Sequence, residues 1–172
     1  MTKKPFIFIA MVIIIVFIFI GYSKYSEYQN RLEASIGNNL HNLLVRYDDI
    51  ASLEDISEDN LNDIKSKMES ISVISKNLDV AYGTPVLINT SEHFNELIEA
   101  VDSNYTNNPE ISKSYYQQLI KKIDEMENIV YDNYYANKHS ESGIPNLNVN
   151  VEELNNFNEE LDEYLETENI SN

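Results

Sequence analysis

"SEDNLNDIKSKMESISVISKNLDVAYGTP", residues 57–85, is the stretch that decides the fold class. Ser57 has the side chain of a helix N-cap, and Glu58 and Asp59 follow where the positive end of a helix dipole favours acids. Ile56 and Leu61 stand at the two positions of a hydrophobic staple. Leu61, Ile64, Met68, Ile71, Leu78 and Tyr82 then fall on one face of a helix. Gly83 supplies the stop, and Pro85 keeps the chain from continuing.

Working outward, the same spacing recurs along most of the chain. Upstream, Leu32, Ile36, Leu40, Leu43, Tyr47 and Ile50 step by three or four, which predicts a helix to about Leu53, with Gly37 inside it. Downstream, "GTPVLINT" breaks the pattern and reads as a loop or one short extended piece. Thr90 or Ser91 is the expected cap of a short helix with Phe94, Leu97, Val101 and Tyr105 inward. Asn108-Pro109-Glu110 reads as a helix start with Pro in the first turn. Ile111, Tyr115, Leu119, Ile123, Met126 and Val130 mark its seam to about Ala136. A last helix starts near Asn150, with Glu153 as a capping partner and a seam of Val151, Leu154, Leu161 and Leu165, flanked by Phe157 and Tyr164. Period-two strands are absent, and no period of 20 to 50 residues repeats. Long amphipathic helices joined by short turns pack as a bundle, so the expected class is all-α: a single transmembrane helix followed by an antiparallel bundle of four to five helices.

The N-terminus is the other decisive stretch. Phe6 to Ile20 is apolar without interruption, and Pro5 to Gly21 carries no charge. Pro5–Tyr22 just reaches the length of a membrane span, whose lower limit is about 17 residues. A cleaved signal peptide shares the basic start and apolar middle, and Gly21 and Ser23 offer a weak cleavage site. Against cleavage stand the bulk of the core and the tyrosines that follow it, Tyr22, Tyr25 and Tyr28, since Tyr favours the membrane–water boundary. Tyr25 and Tyr28 equally fit the start of the next helical seam. The reading adopted is a retained anchor with Phe6, Ile9, Ile13, Val16, Phe19 and Tyr22 toward lipid. Lys3 and Lys4 place the N-terminus in the cytoplasm and the bulk outside, a bias that Lys24 and Arg31 weaken. The expected layout is a cytoplasmic tip over 1–4, an anchor over 5–22, an extracytoplasmic bundle over 23–137, a linker over 138–149 and an acidic amphipathic helix over 150–168.

Charge and composition narrow the function. The 172 residues hold 29 acids against 12 bases, a net charge of −17. A field of that sign repels phosphate backbones, so no nucleic-acid partner is expected. With no cysteine, thiolate catalysis, disulfides and Cys-based metal sites are excluded. Four glycines leave no phosphate-cradling loop, and no Gly-x-Ser-x-Gly occurs. His41 flanks a seam, His93 sits beside Glu92, Glu96 and Glu99 at a helix start, and His139 lies in the linker; the Glu-x-x-His pattern of a di-iron bundle is missing. Asp48-Asp49, Glu54-Asp55 and Glu58-Asp59 lack the calcium-loop pattern and read as a solvated acidic junction. No catalytic, cofactor or metal residue is expected, and the chain is not expected to be an enzyme.

Two features point to a protein partner. After Lys138 the chain carries nine acids and no base around one apolar seam. That helix either lies on its own bundle or lays Leu154, Phe157, Leu161 and Tyr164 into a partner's groove. Tyr115, Tyr116, Tyr131, Tyr134 and Tyr135 crowd one helix, too many for a single inward stripe, and Tyr is favoured at interfaces. Tyr116, Tyr131 and Tyr135 are the contact candidates. The expected function is an anchored extracytoplasmic helical protein acting by protein–protein interaction in an accessory, immunity or envelope-scaffold role. The alternative is a small-ligand sensor that signals through a membrane partner.

Overall fold

A computed structural model describes the backbone of residues 4–53, 55–135 and 150–170, and the side chains of 11, 13–53, 55–132 and 150–170. The expected linker over 138–149, with His139, lies outside the described residues. Five helices follow in order: α1 (Lys4–Ala51), α2 (Glu58–Tyr82), α3 (Val86–Asn104), α4 (Pro109–Tyr135) and α5 (Val151–Thr167). Among the described residues there is no strand, so the chain is all-α. It divides into two compact units, Met1–Ser35 and Ile36–Asn172.

The second unit is a helical bundle with α3 against α2, α4 and α5. Its core follows the seams: Leu40, Leu43, Tyr47 and Ile50 of α1, Leu61, Ile64, Met68, Ile71 and Leu78 of α2, and Leu119, Ile123 and Met126 of α4 are all buried. Phe94 joins three helices, its ring centroid 6.1 Å from Tyr47 of α1 and 6.2 Å from Phe157 of α5.

Local chemistry sets the helix ends. The Ser57 Oγ accepts from the Asn60 amide at 3.1 Å, in extended backbone that lets it fold back over the first turn. Gly83 ends α2 in the left-handed region at φ 71°, and its amide donates to the Asp79 carbonyl at 2.8 Å. The Asn150 Oδ1 accepts from the Glu153 amide at 3.2 Å, and its Nδ2 donates to the Glu153 carboxylate at 3.2 Å. Past α5, Asn169 takes φ 55°, and the Ile170 amide reaches back to the Leu165 carbonyl at 2.9 Å, a Schellman closure made with Asn in place of Gly.

Two expectations are corrected. "GTPVLINT" is neither loop nor strand beyond Pro85: α3 starts at Val86, and Thr90 and Ser91 do not cap it. Their hydroxyls donate to the carbonyls of Val86 and Ile88, both at 2.9 Å. The cap comes from the preceding helix. The Asp79 carboxylate of α2 accepts from the Leu87 amide at 3.1 Å and the Ile88 amide at 2.7 Å. Second, the seam of α4 begins at Ser112, not Ile111. Ile111 is 45% exposed, while the buried Ser112 hydroxyl donates to the Val101 carbonyl at 2.7 Å and fastens α4 to α3. Tyr105, Tyr115 and Val151, also expected inward, are half-buried.

Candidate functional site

The expected site residues fall into two groups with opposite fates. In the first unit, Ile13, Val16, Phe19 and Tyr22 are 49%, 50%, 71% and 72% exposed. The residues between them, Ile14, Ile15, Phe17, Ile18 and Ile20, are also exposed, so the helix is apolar on every side. The side chains of Phe6 and Ile9 lie outside the described residues. Among the described residues no helix is long and apolar enough to cross a membrane.

Most of the expected partner contacts are instead interior. Leu154, Phe157 and Leu161 are buried in the bundle's own core. Their seam covers α3, so α5 does not present it to a partner. Tyr116 is buried, with its hydroxyl shared between the carbonyls of Leu53 and Asp55 at 3.3 and 3.2 Å, tying α4 to the α1–α2 junction. Burial pushes its phenol up, as does the Asp55 carboxylate. Tyr164 is half-buried, and burial, then Glu168 and Tyr115, raise its phenol. Tyr131 is 40% exposed, and the Tyr135 side chain lies outside the described residues.

What α5 does present is its acidic side. A groove of about 580 Å³ between α4 and α5 is lined by Glu125, Glu152, Glu153 and Glu160, with Ile129 and Phe157 among its walls. Lys122 touches three of these lining residues. Its Nζ lies 2.8 Å from Glu125 and 3.7 Å from Glu160, and 5.5 Å from the Phe157 ring centroid. A second hollow of about 490 Å³ lies between α1 and α2, where Val45 and Val73 are exposed beside Arg46. No group of three or more His, Asp or Glu among the described residues is placed to hold a metal. The Nε2 of His93 stands 3.7 Å from the Asp162 carboxylate, bridging α3 and α5.

The sequence reading missed a polar cluster inside the bundle. Ser75, Asp79, Thr90, Ser91 and Asn158 are all buried. The Asn158 Nδ2 donates to the Val86 carbonyl at 3.2 Å, so the first turn of α3 is gripped by α2 through Asp79 and by α5 through Asn158. Burial raises the Asp79 carboxyl above its usual range, and the Ile88 and Leu87 amides pull the other way. The buried Tyr47 phenol is raised by burial and then by the Asp79 charge. A signal was present: Ser75 and Asp79, spaced i and i+4, stand in register with Ile71 and Leu78 on the inward face.

Compared with known proteins, the chain matches no family model, no curated protein and no solved structure.

Proposed function

We propose that the chain is a membrane-anchored helical protein whose acidic bundle stands outside the cytoplasm and works by binding another protein. The observation that carries the anchor is the exposure of Ile13 to Ile20 on all sides of α1. A helix apolar all round belongs either in a protein core or in a bilayer. With the residues before it, the run Pro5–Tyr22 has the length of a span. Lys3 and Lys4, just before the apolar run, favour a cytoplasmic position for that flank.

The partner reading is supported by the bundle surface. The groove between α4 and α5 carries four glutamates, one of which, Glu125, also pairs with Lys122 at 2.8 Å. A surface of that charge steers basic partners and repels nucleic acid.

The test is topology. The chain has no cysteine, so an Asn107→Cys variant carries one thiol in the exposed turn between α3 and α4. Intact cells are treated with a membrane-impermeant maleimide and then fractionated. Label in the membrane pellet is the expected result. Label in the medium would remove the anchor, and label only after lysis would place the bundle in the cytoplasm.

A further inference from the structure

We propose that the buried junction where α1, α2 and α5 meet the start of α3 binds one internal water molecule, held by Tyr47, Ser75, Asn158 and Asp79. The inference stands apart from the anchor and partner readings above.

Three buried polar atoms carry it. The Tyr47 hydroxyl, the Ser75 hydroxyl and the Asn158 Oδ1 have no hydrogen-bond partner among the described residues. Tyr47 and Ser75 are fully buried, and Asn158 is 9% exposed. In native proteins, buried polar atoms are paired with protein or with ordered water. These three come from three helices and gather round Asp79. Ser75 lies one turn before Asp79 on the same face of α2. Asn158 donates through Nδ2 to the Val86 carbonyl at 3.2 Å, one residue before the Leu87 amide that Asp79 holds. That bond also settles the orientation of the amide. A carbonyl takes the NH2 end, so the acceptor Oδ1 is the end left over. Tyr47 is close enough for the Asp79 charge to act on its phenol.

The valences match a single water, which has two O–H donors and two lone pairs. Burial, and then the Asp79 charge, push the Tyr47 phenol up, so it keeps its proton and enters as a donor. The Ser75 hydroxyl is the second donor. Asn158 Oδ1 accepts, and the Asp79 carboxylate has lone pairs left after binding the Leu87 and Ile88 amides. Two donors and two acceptors complete the water's set, where buried waters typically make about three bonds. Room comes from size. The inward row of α2 runs Ile64, Met68, Ile71, Ser75, Leu78, and Ser75 is its short member. The fall in volume from Leu or Ile to Ser exceeds the roughly 30 Å³ share of a water. A cation suits the junction less well, because the positive end of the α3 dipole points at the same carboxylate.

The test is a crystal structure of the full-length chain at a resolution that shows ordered water, together with urea midpoints for Tyr47→Phe, Ser75→Ala and the double variant. Expected is one oxygen within about 3 Å of Tyr47 Oη, Ser75 Oγ and Asn158 Oδ1. Each single variant is expected to lower the midpoint. The double variant should lower it by less than the sum, because both hydroxyls serve one water. Direct bonds among these atoms, with nothing between them, overturn the proposal. An atom held at the shorter distances of a metal ion overturns it in favour of a cation. Additive midpoint shifts overturn the sharing of one water by the two hydroxyls. If a variant does not fold, the structure of the unaltered chain decides alone.

Discussion

Asp79 is the residue on which the second unit turns. It is buried, and among the described residues no basic side chain pairs with it, yet it serves as the cap that α3 lacks in its own sequence. Replacing it with Ala leaves the Leu87 and Ile88 amides without an acceptor, one of them in a buried position. Asp79→Ala is expected to lower stability by about 2 kcal/mol, read from the urea midpoint. Its titration has a definite sign. The folded carboxyl is raised, first by burial, so the native state holds its proton more tightly than the unfolded chain does. The resulting contribution is complete below the ordinary Asp value of about 4 and is lost as pH rises through the folded value. Glu127, raised by burial and by Asp48 and Asp124, acts in the same direction. Stability should therefore decline from mild acid toward neutrality, and less steeply in Asp79→Ala; parallel slopes in the two proteins would refute the assignment. Tyr116 gives a second test. Tyr116→Phe removes the hydroxyl bonded to Leu53 and Asp55 and is expected to cost about 1 kcal/mol, whereas a surface contact residue would leave the urea midpoint in place.

At the scale of the helix, the seams of α1, α2 and α5 were legible because burial repeats with the helical period, and Leu43, Ile64, Leu78 and Leu161 lie inside as that period requires. Ser57 was legible as a cap because cap and amide are three residues apart. The start of α3 was not. Its cap lies eight residues before Leu87 on another helix, and no local pattern announces a bond made across a turn. The same limit applies to Ser112, whose inward turn depends on the Val101 carbonyl of α3. The candidate contacts on α5 share an apolar seam, and a seam alone does not say whether its own bundle or another protein covers it. Leu161→Ala decides this in solution. Docked as described, α5 loses a fully buried side chain, and the expected loss is about 2–5 kcal/mol in global stability. A free helix held ready for a partner would show no change in the unfolding transition.

For the whole molecule, the amino-acid pattern gave an all-helical chain with a bundle, and the structure places the bundle from Ile36 onward. The candidate surface was less accessible to sequence reasoning, because exposure depends on which helices meet. The proposed anchor makes a prediction for the intact cell. An Asp at the middle of a span costs about 2.5–3.5 kcal/mol on insertion scales. Val16→Asp should move protein from the membrane pellet to the soluble fraction, while Val80→Asp, on the exposed side of α2, should leave the distribution unchanged. Equal behaviour of the two variants would argue against insertion of this stretch.

The covering of Phe94 by Phe157 has a consequence for how the protein is made. Synthesis runs from the N-terminus, and domains begin to form as their residues emerge. Phe94 and the first turn of α3 leave the ribosome well before α5, the last of the five helices, which completes both the aromatic contact and the Asn158 bond to Val86. Until α5 is translated, the side of α3 that it covers stays open in the nascent bundle. A transcript truncated ahead of α5 would release a product in that state, one for chaperones and proteases to recognise.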